Sequence, residues 1–143
     1  MSLAPAVAVA VVFVWLGMVL AISLVETPLK FRAPGVTLAI GLGIGRLVFR
    51  ALNACELVLA AALFGSFVLE RPPFGVAVAA GVAVLTLLAQ VLVVRPRLTR
   101  RSDAVLSGGD GPGPRSRAHW AYVGLELVKV AALLIAGVLL LAS

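Results

Sequence analysis

Residues 3–25 include no charged side chain, and their one proline stands close to the start of the run. As a helix this stretch extends about 34 Å, enough to cross a hydrocarbon core of about 30 Å. A secretory signal peptide is the rival reading. It fits poorly, because no basic residue precedes the run and the apolar stretch outlasts a typical signal core. The run is therefore read as a first membrane-spanning helix.

Three more apolar stretches follow. Residues 26–35 carry two prolines and three charges, which mark a membrane boundary. Residues 36–69 are helix-compatible throughout, but roughly 50 Å of helix is too long for one upright span. That length divides into a second span at about 50–69 and a glycine-bearing segment at about 36–49. The segment either lies on the membrane as an interfacial helix or extends the second helix. After the tight turn Glu70-Arg71-Pro72-Pro73, a third span covers 74–94. A glycine- and proline-rich basic connection, 95–118, has the composition of a mobile loop. A fourth span covers about 119–141. The expected fold is all-α, a single integral membrane domain built as a four-helix transmembrane bundle.

Composition agrees. Hydrophobic residues make up 62% of the 143 residues and charged ones 13%, against about 45–50% and about 25% in soluble proteins. A domain this small cannot hide so much apolar surface inside itself. Lipid has to cover the rest.

The net charge of +6 raises nucleic acid as a partner, but its distribution points elsewhere. Six of the twelve basic residues lie in the third connection, and Lys30, Arg32, Arg46 and Arg50 follow the first span. With four spans, the first and third connections share one side of the membrane. That side holds ten of the twelve, while the other holds Arg71 and Lys129 is left inside a span. Charge asymmetry and span count therefore agree on one topology in the cell (plasma) membrane, with connections 26–49 and 95–118 cytoplasmic and both termini outside. Arg46 and Arg50, four apart on one helix face, suit a headgroup boundary where arginines snorkel. The basic connections suit anionic lipid headgroups. Aromatic residues, 6% of the chain, do not interleave with the arginines, so no base-stacking surface is expected.

Ionisable groups inside spans are costly and mark functional candidates by default. Here they are Glu56, Glu126 and Lys129, with Asn53 and Gln90 as uncharged companions and Glu26 at the inner end of the first helix. All six fall in the inner half of the bilayer. Asn53 and Glu56 are three apart and share a face, as do Glu126 and Lys129, which can pair within one helix. Turned inward, these faces form a polar layer to which every span contributes. Two readings stay open. In one the layer is a structural clasp, with Lys129 neutralising Glu126 and an arginine neutralising Glu56. In the other it is an inward-facing site for an ion, a proton or a polar solute.

Other chemistry finds little support. A carboxylate metal site in a helical bundle usually adds a Glu-x-x-His pair, and His119, the only histidine, precedes Glu126 by seven residues. No metal and no cofactor are expected. The single cysteine, Cys55, permits no intramolecular disulfide. Gly41-Leu42-Gly43-Ile44-Gly45 lacks the GxGxxG spacing and a preceding strand. Gly41 with Gly45, and Ala77 with Gly81, are small-xxx-small pairs suited to close helix packing.

Trp15-Leu16-Gly17, then Thr27-Pro28-Leu29-Lys30-Phe31, then Gly43 to Arg46 with Phe49, and finally Arg117-Ala118-His119-Trp120, together resemble the DUF4149 or TMEM205-like family of small four-span membrane proteins. The resemblance covers most of the chain. It implies a helical bundle and no established reaction. Where that family usually has a short polar residue early in the fourth helix, this chain has Glu126 followed by Lys129.

Three functional classes follow. One is transport or permeation of a small solute, ion or proton, by a protein that is a homo-oligomer or has a membrane-protein partner. The second is a non-catalytic accessory or scaffold subunit. The third, a membrane enzyme acting on a lipid-soluble substrate, has no nucleophile or cofactor motif behind it.

Overall fold

The computed structural model describes residues 1–94, 96 and 117–143, with the side chains of 117–119 excepted. The basic connection and the His119 side chain thus lie outside the described residues. Four helices make up the described residues: α1 (Leu3–Lys30), α2 (Leu38–Leu69), α3 (Phe74–Val94) and α4 (Arg117–Ala142). Among the described residues there is no strand. All four helices contain a stretch long and apolar enough to cross a membrane. This is a multi-pass, all-α membrane protein.

α1 runs past residue 25, where the charges and prolines suggest a stop, and ends at Lys30. The reason lies in its backbone. Over Leu20–Glu26 the helix widens to a π-helical turn, and the Thr27 N–H bonds the Ile22 carbonyl five residues back. The Thr27 hydroxyl donates to the same carbonyl at 2.9 Å. A proline inside a regular helix lacks an N–H and presses on the carbonyl four residues earlier. The widened turn just before Pro28 shifts that ladder, so the helix passes through. Beyond Lys30 the chain turns, and Gly35, with a φ of +80°, takes the left-handed conformation that glycine adopts without strain.

α2 starts at a capped end, where Thr37 Oγ1 accepts from the Ile40 N–H at 3.2 Å. It then continues unbroken for 32 residues. The 36–49 segment is therefore an extension of the second helix and not a separate interfacial one. Arg46 and Arg50 ride on the same rod as the membrane span, Arg50 exposed and Arg46 half-buried.

α1 packs between α2 and α4, and α3 lies against α4; α2 and α3 barely meet. The core is built from Val12, Trp15 and Val19 of α1, Leu63 of α2, Ala80, Ala83 and Leu87 of α3, and Leu133 and Ala136 of α4. Small residues set the close approaches. A Cβ on Gly137 would stand 2.7 Å from the Phe13 ring. On α3 the buried small residues are Ala79, Ala80 and Ala83, whereas Ala77 is exposed and Gly81 has no close neighbour.

Gly41 and Gly45 take part in a different contact from the expected helix pairing. A Cβ on Gly41 would overlap the Phe31 ring, and one on Gly45 would sit 3.1 Å from Lys30 Nζ. The two glycines form a trough on α2 in which the end of α1 folds back. Lys30 Nζ also stands over the Phe31 ring at 5.2 Å.

The outside of the bundle is as apolar as the inside. Leu47, Val58, Phe64, Phe74 and Leu92 are each about 70% exposed or more and would face lipid chains.

Candidate functional site

Each helix brings one or two polar side chains to a common level. Glu56 and Lys129 each lie about 20 Å along their helices from the Glu70 end, which is past the middle of a core about 30 Å thick. The layer therefore sits nearer the end that carries Lys30, Arg32 and Arg46.

Lys129 is its centre. Its ammonium forms ion pairs with Glu56 Oε2 and, at 2.7 Å, with Glu126 Oε1. It also donates to Gln90 Oε1 at 2.8 Å. An ammonium has three protons to give, and acceptors from α2, α3 and α4 meet them. Gln90 passes the link on through its Nε2, which donates to the Tyr122 carbonyl at 3.4 Å. Glu56 draws two further donors, Trp15 Nε1 at 2.7 Å and Asn53 Nδ2 at 3.1 Å. Glu126 Oε2 accepts from Ser23 Oγ at 2.8 Å. Glu56, Gln90 and Lys129 have no exposed surface, and Glu126 has 2%. Among the described residues these side chains enclose one another.

Five of the six polar residues expected in the layer are thus brought together: Asn53, Glu56, Gln90, Glu126 and Lys129. The sixth, Glu26, stands apart toward the basic end. It is half-buried, and its Oε2 is enclosed without a hydrogen-bond partner. One expected pairing is corrected. Glu56 is neutralised by Lys129 from α4 and not by an arginine of its own helix, because burial at this depth is out of reach for the exposed Arg50.

Two members escaped the sequence reading, Trp15 and Ser23. A tryptophan or serine inside an apolar run carries no charge to flag it. A signal was present all the same: Trp15, Val19 and Ser23 recur at four-residue intervals, and the first two are completely buried. Both widened turns of the fold carry site residues as well. Ser23 and Glu26 belong to the one in α1, and Gln90 opens the one over Gln90–Val94 in α3. Such turns are frequent at functional sites.

A cavity of about 240 Å³ lies at the opposite end of the bundle, between Pro5, Ser66, Glu70, Arg71 and Leu140. There Ser2 Oγ donates to Glu70 Oε2 and ties the start of α1 to the turn after α2. An apolar core that includes Val12, Leu63, Ala80 and Leu133 separates this cavity from the charged layer.

No family model, curated protein or solved structure matches this chain.

Proposed function

We propose that the chain is a non-catalytic membrane scaffold or accessory protein, and that its buried polar layer is the clasp that fixes the helices in register. One observation carries this reading. The three protons of the Lys129 ammonium face Glu56, Gln90 and Glu126 on three different helices, with no exposed surface at the lysine. A buried charge is costly when unpaired, so such a layer tolerates few alternative alignments of the helices. Membership of the DUF4149 or TMEM205-like family fits this reading and is part of the proposal. So are a plasma-membrane location, outward termini, anionic lipid at the basic connections, and a second copy or another membrane protein as partner.

A second reading, passage of a proton or small solute from the cytoplasmic side, has its own support. Ser23 and Glu26 extend the polar line from the layer toward the basic end. Reconstitution separates the two. For a clasp, vesicles containing the protein leak protons and small solutes no faster than empty ones, and Glu56→Gln with Glu126→Gln lowers the unfolding temperature in detergent. Flux through the wild type that disappears in a normally helical double variant would overturn the clasp and establish passage.

A further inference from the structure

We propose that the cavity at the Glu70 end of the bundle binds the headgroup of a zwitterionic lipid that carries a primary ammonium and a phosphate, as phosphatidylethanolamine does. The inference concerns the end of the molecule away from Lys129. It holds whether the polar layer is a clasp or a passage.

Position comes first. α2 ends at Leu69 and α3 begins at Phe74. The cavity of about 240 Å³, between Glu70, the Pro72-Pro73 turn and the first turn of α1, therefore lies where the spans leave the hydrocarbon. Leu69 and Phe74, on either side of that turn, are 82% and 84% exposed and meet lipid chains. A lipid lying against them has its headgroup at the level of the cavity. The volume is below the about 300 Å³ at which sites for drug-sized ligands begin, yet it is several times the about 30 Å³ of one water. A headgroup is of that intermediate size.

The lining chooses the chemistry. One side presents acceptors. Ser66 is buried, and its hydroxyl donates to the Leu63 carbonyl at 2.7 Å. With that proton spent, its oxygen can act toward the cavity only as an acceptor. Glu70 adds a carboxylate, which also holds the Ser2 hydroxyl. Both call for a ligand that donates, and a primary ammonium has three protons to give. The other side suits an anion. Arg71 lines the cavity, and the planar fork of a guanidinium matches phosphate oxygens. Ala4, from the first turn of α1, lines it too. A helix start favours negative charge, and Ser2 gives α1 no side-chain cap because its hydroxyl is turned to Glu70. Glu70 and Arg71 together carry no net charge, so a zwitterion satisfies both, whereas a purely anionic headgroup satisfies one. A choline headgroup has no N–H to donate to Ser66 and Glu70.

Native mass spectrometry of the full chain in mild detergent tests this, with phosphatidylethanolamine, phosphatidylcholine and phosphatidylglycerol titrated in turn. Phosphatidylethanolamine should be retained as a single adduct with about tenfold higher affinity than either of the others, the worth of a charge-assisted hydrogen bond. Glu70→Gln, whose amide oxygen can still accept from Ser2, and Arg71→Gln should each remove that preference. Circular dichroism confirms that each variant is folded. Equal retention of the three lipids by folded wild type overturns the proposal, as does a preference that survives in both variants. Glycerophosphoethanolamine, the same headgroup without acyl chains, separates a lipid from a soluble zwitterion. It should compete only weakly, and competition as strong as that of the intact lipid overturns the assignment to a lipid.

Discussion

The Trp15 indole N–H donates to Glu56 Oε2 at 2.7 Å, and both side chains are completely buried. This contact joins α1 to α2 at the depth where Lys129 of α4 reaches the same oxygen. A tryptophan is amphipathic, with a large ring that fills core space and one N–H that needs an acceptor when buried. Here one residue packs the core and completes the carboxylate's hydrogen-bond shell.

Trp15→Phe keeps most of the ring and removes the donor. The loss leaves Glu56 one bond short in a closed environment and should destabilise the bundle by about 1–3 kcal/mol. Unfolding in a detergent titration measures this.

The four spans and the pairings Asn53–Glu56 and Glu126–Lys129 were legible because each rests on a local rule. Apolar length sets a span, and a three-residue interval puts two side chains on one helix face. The link from Glu56 to Lys129 was not legible, because it depends on which helices are neighbours. Periodicity within α2 and α4 says nothing about that. The continuation of α1 through Pro28 was hidden for another reason: a widened turn upstream cancels the usual effect of proline. Gly41 and Gly45 were read as a small-xxx-small pair for close helix packing, and what stands against them is Phe31 with Lys30 from the end of α1. A small-residue pattern identifies a trough without naming its occupant.

That trough makes a prediction about Gly41. An added methyl group would overlap the Phe31 ring, so Gly41→Ala should expel the ring or shift the end of α1, at about 1–3 kcal/mol. Phe31→Ala should cost less on its own and should restore tolerance to Gly41→Ala. A double-mutant cycle by thermal unfolding reads the coupling, and strict additivity would mean that the ring does not occupy the trough. Gly43→Ala, which meets nothing within 4 Å, serves as the control.

Cys55 neighbours Glu56 in sequence yet faces out of the bundle. If that face meets lipid, a membrane-soluble maleimide should modify Cys55 in intact vesicles, and a charged, membrane-impermeant one should not. Both reagents should react after unfolding in sodium dodecyl sulfate. Fast labelling of folded protein by the charged reagent would place water on this face and contradict the arrangement of α2.

The last prediction concerns what Lys129 contributes. Removing the ammonium alone, as in Lys129→Met, leaves Glu56 and Glu126 facing each other in a closed space without their shared cation. Breaking a buried ion pair from one side typically costs about 3–5 kcal/mol, whereas replacing all its charged members with uncharged ones is often neutral or stabilising. The triple variant Glu56→Gln, Glu126→Gln, Lys129→Met should therefore be markedly more stable than Lys129→Met alone, and close to the wild type. Equilibrium unfolding in mixed detergent orders the three proteins. If the triple variant is the least stable of them, the layer's charges are themselves stabilising, and the cost of Lys129→Met is not the penalty of stranding two acids. If it recovers, the charges add little net stability and serve to specify one alignment of the helices.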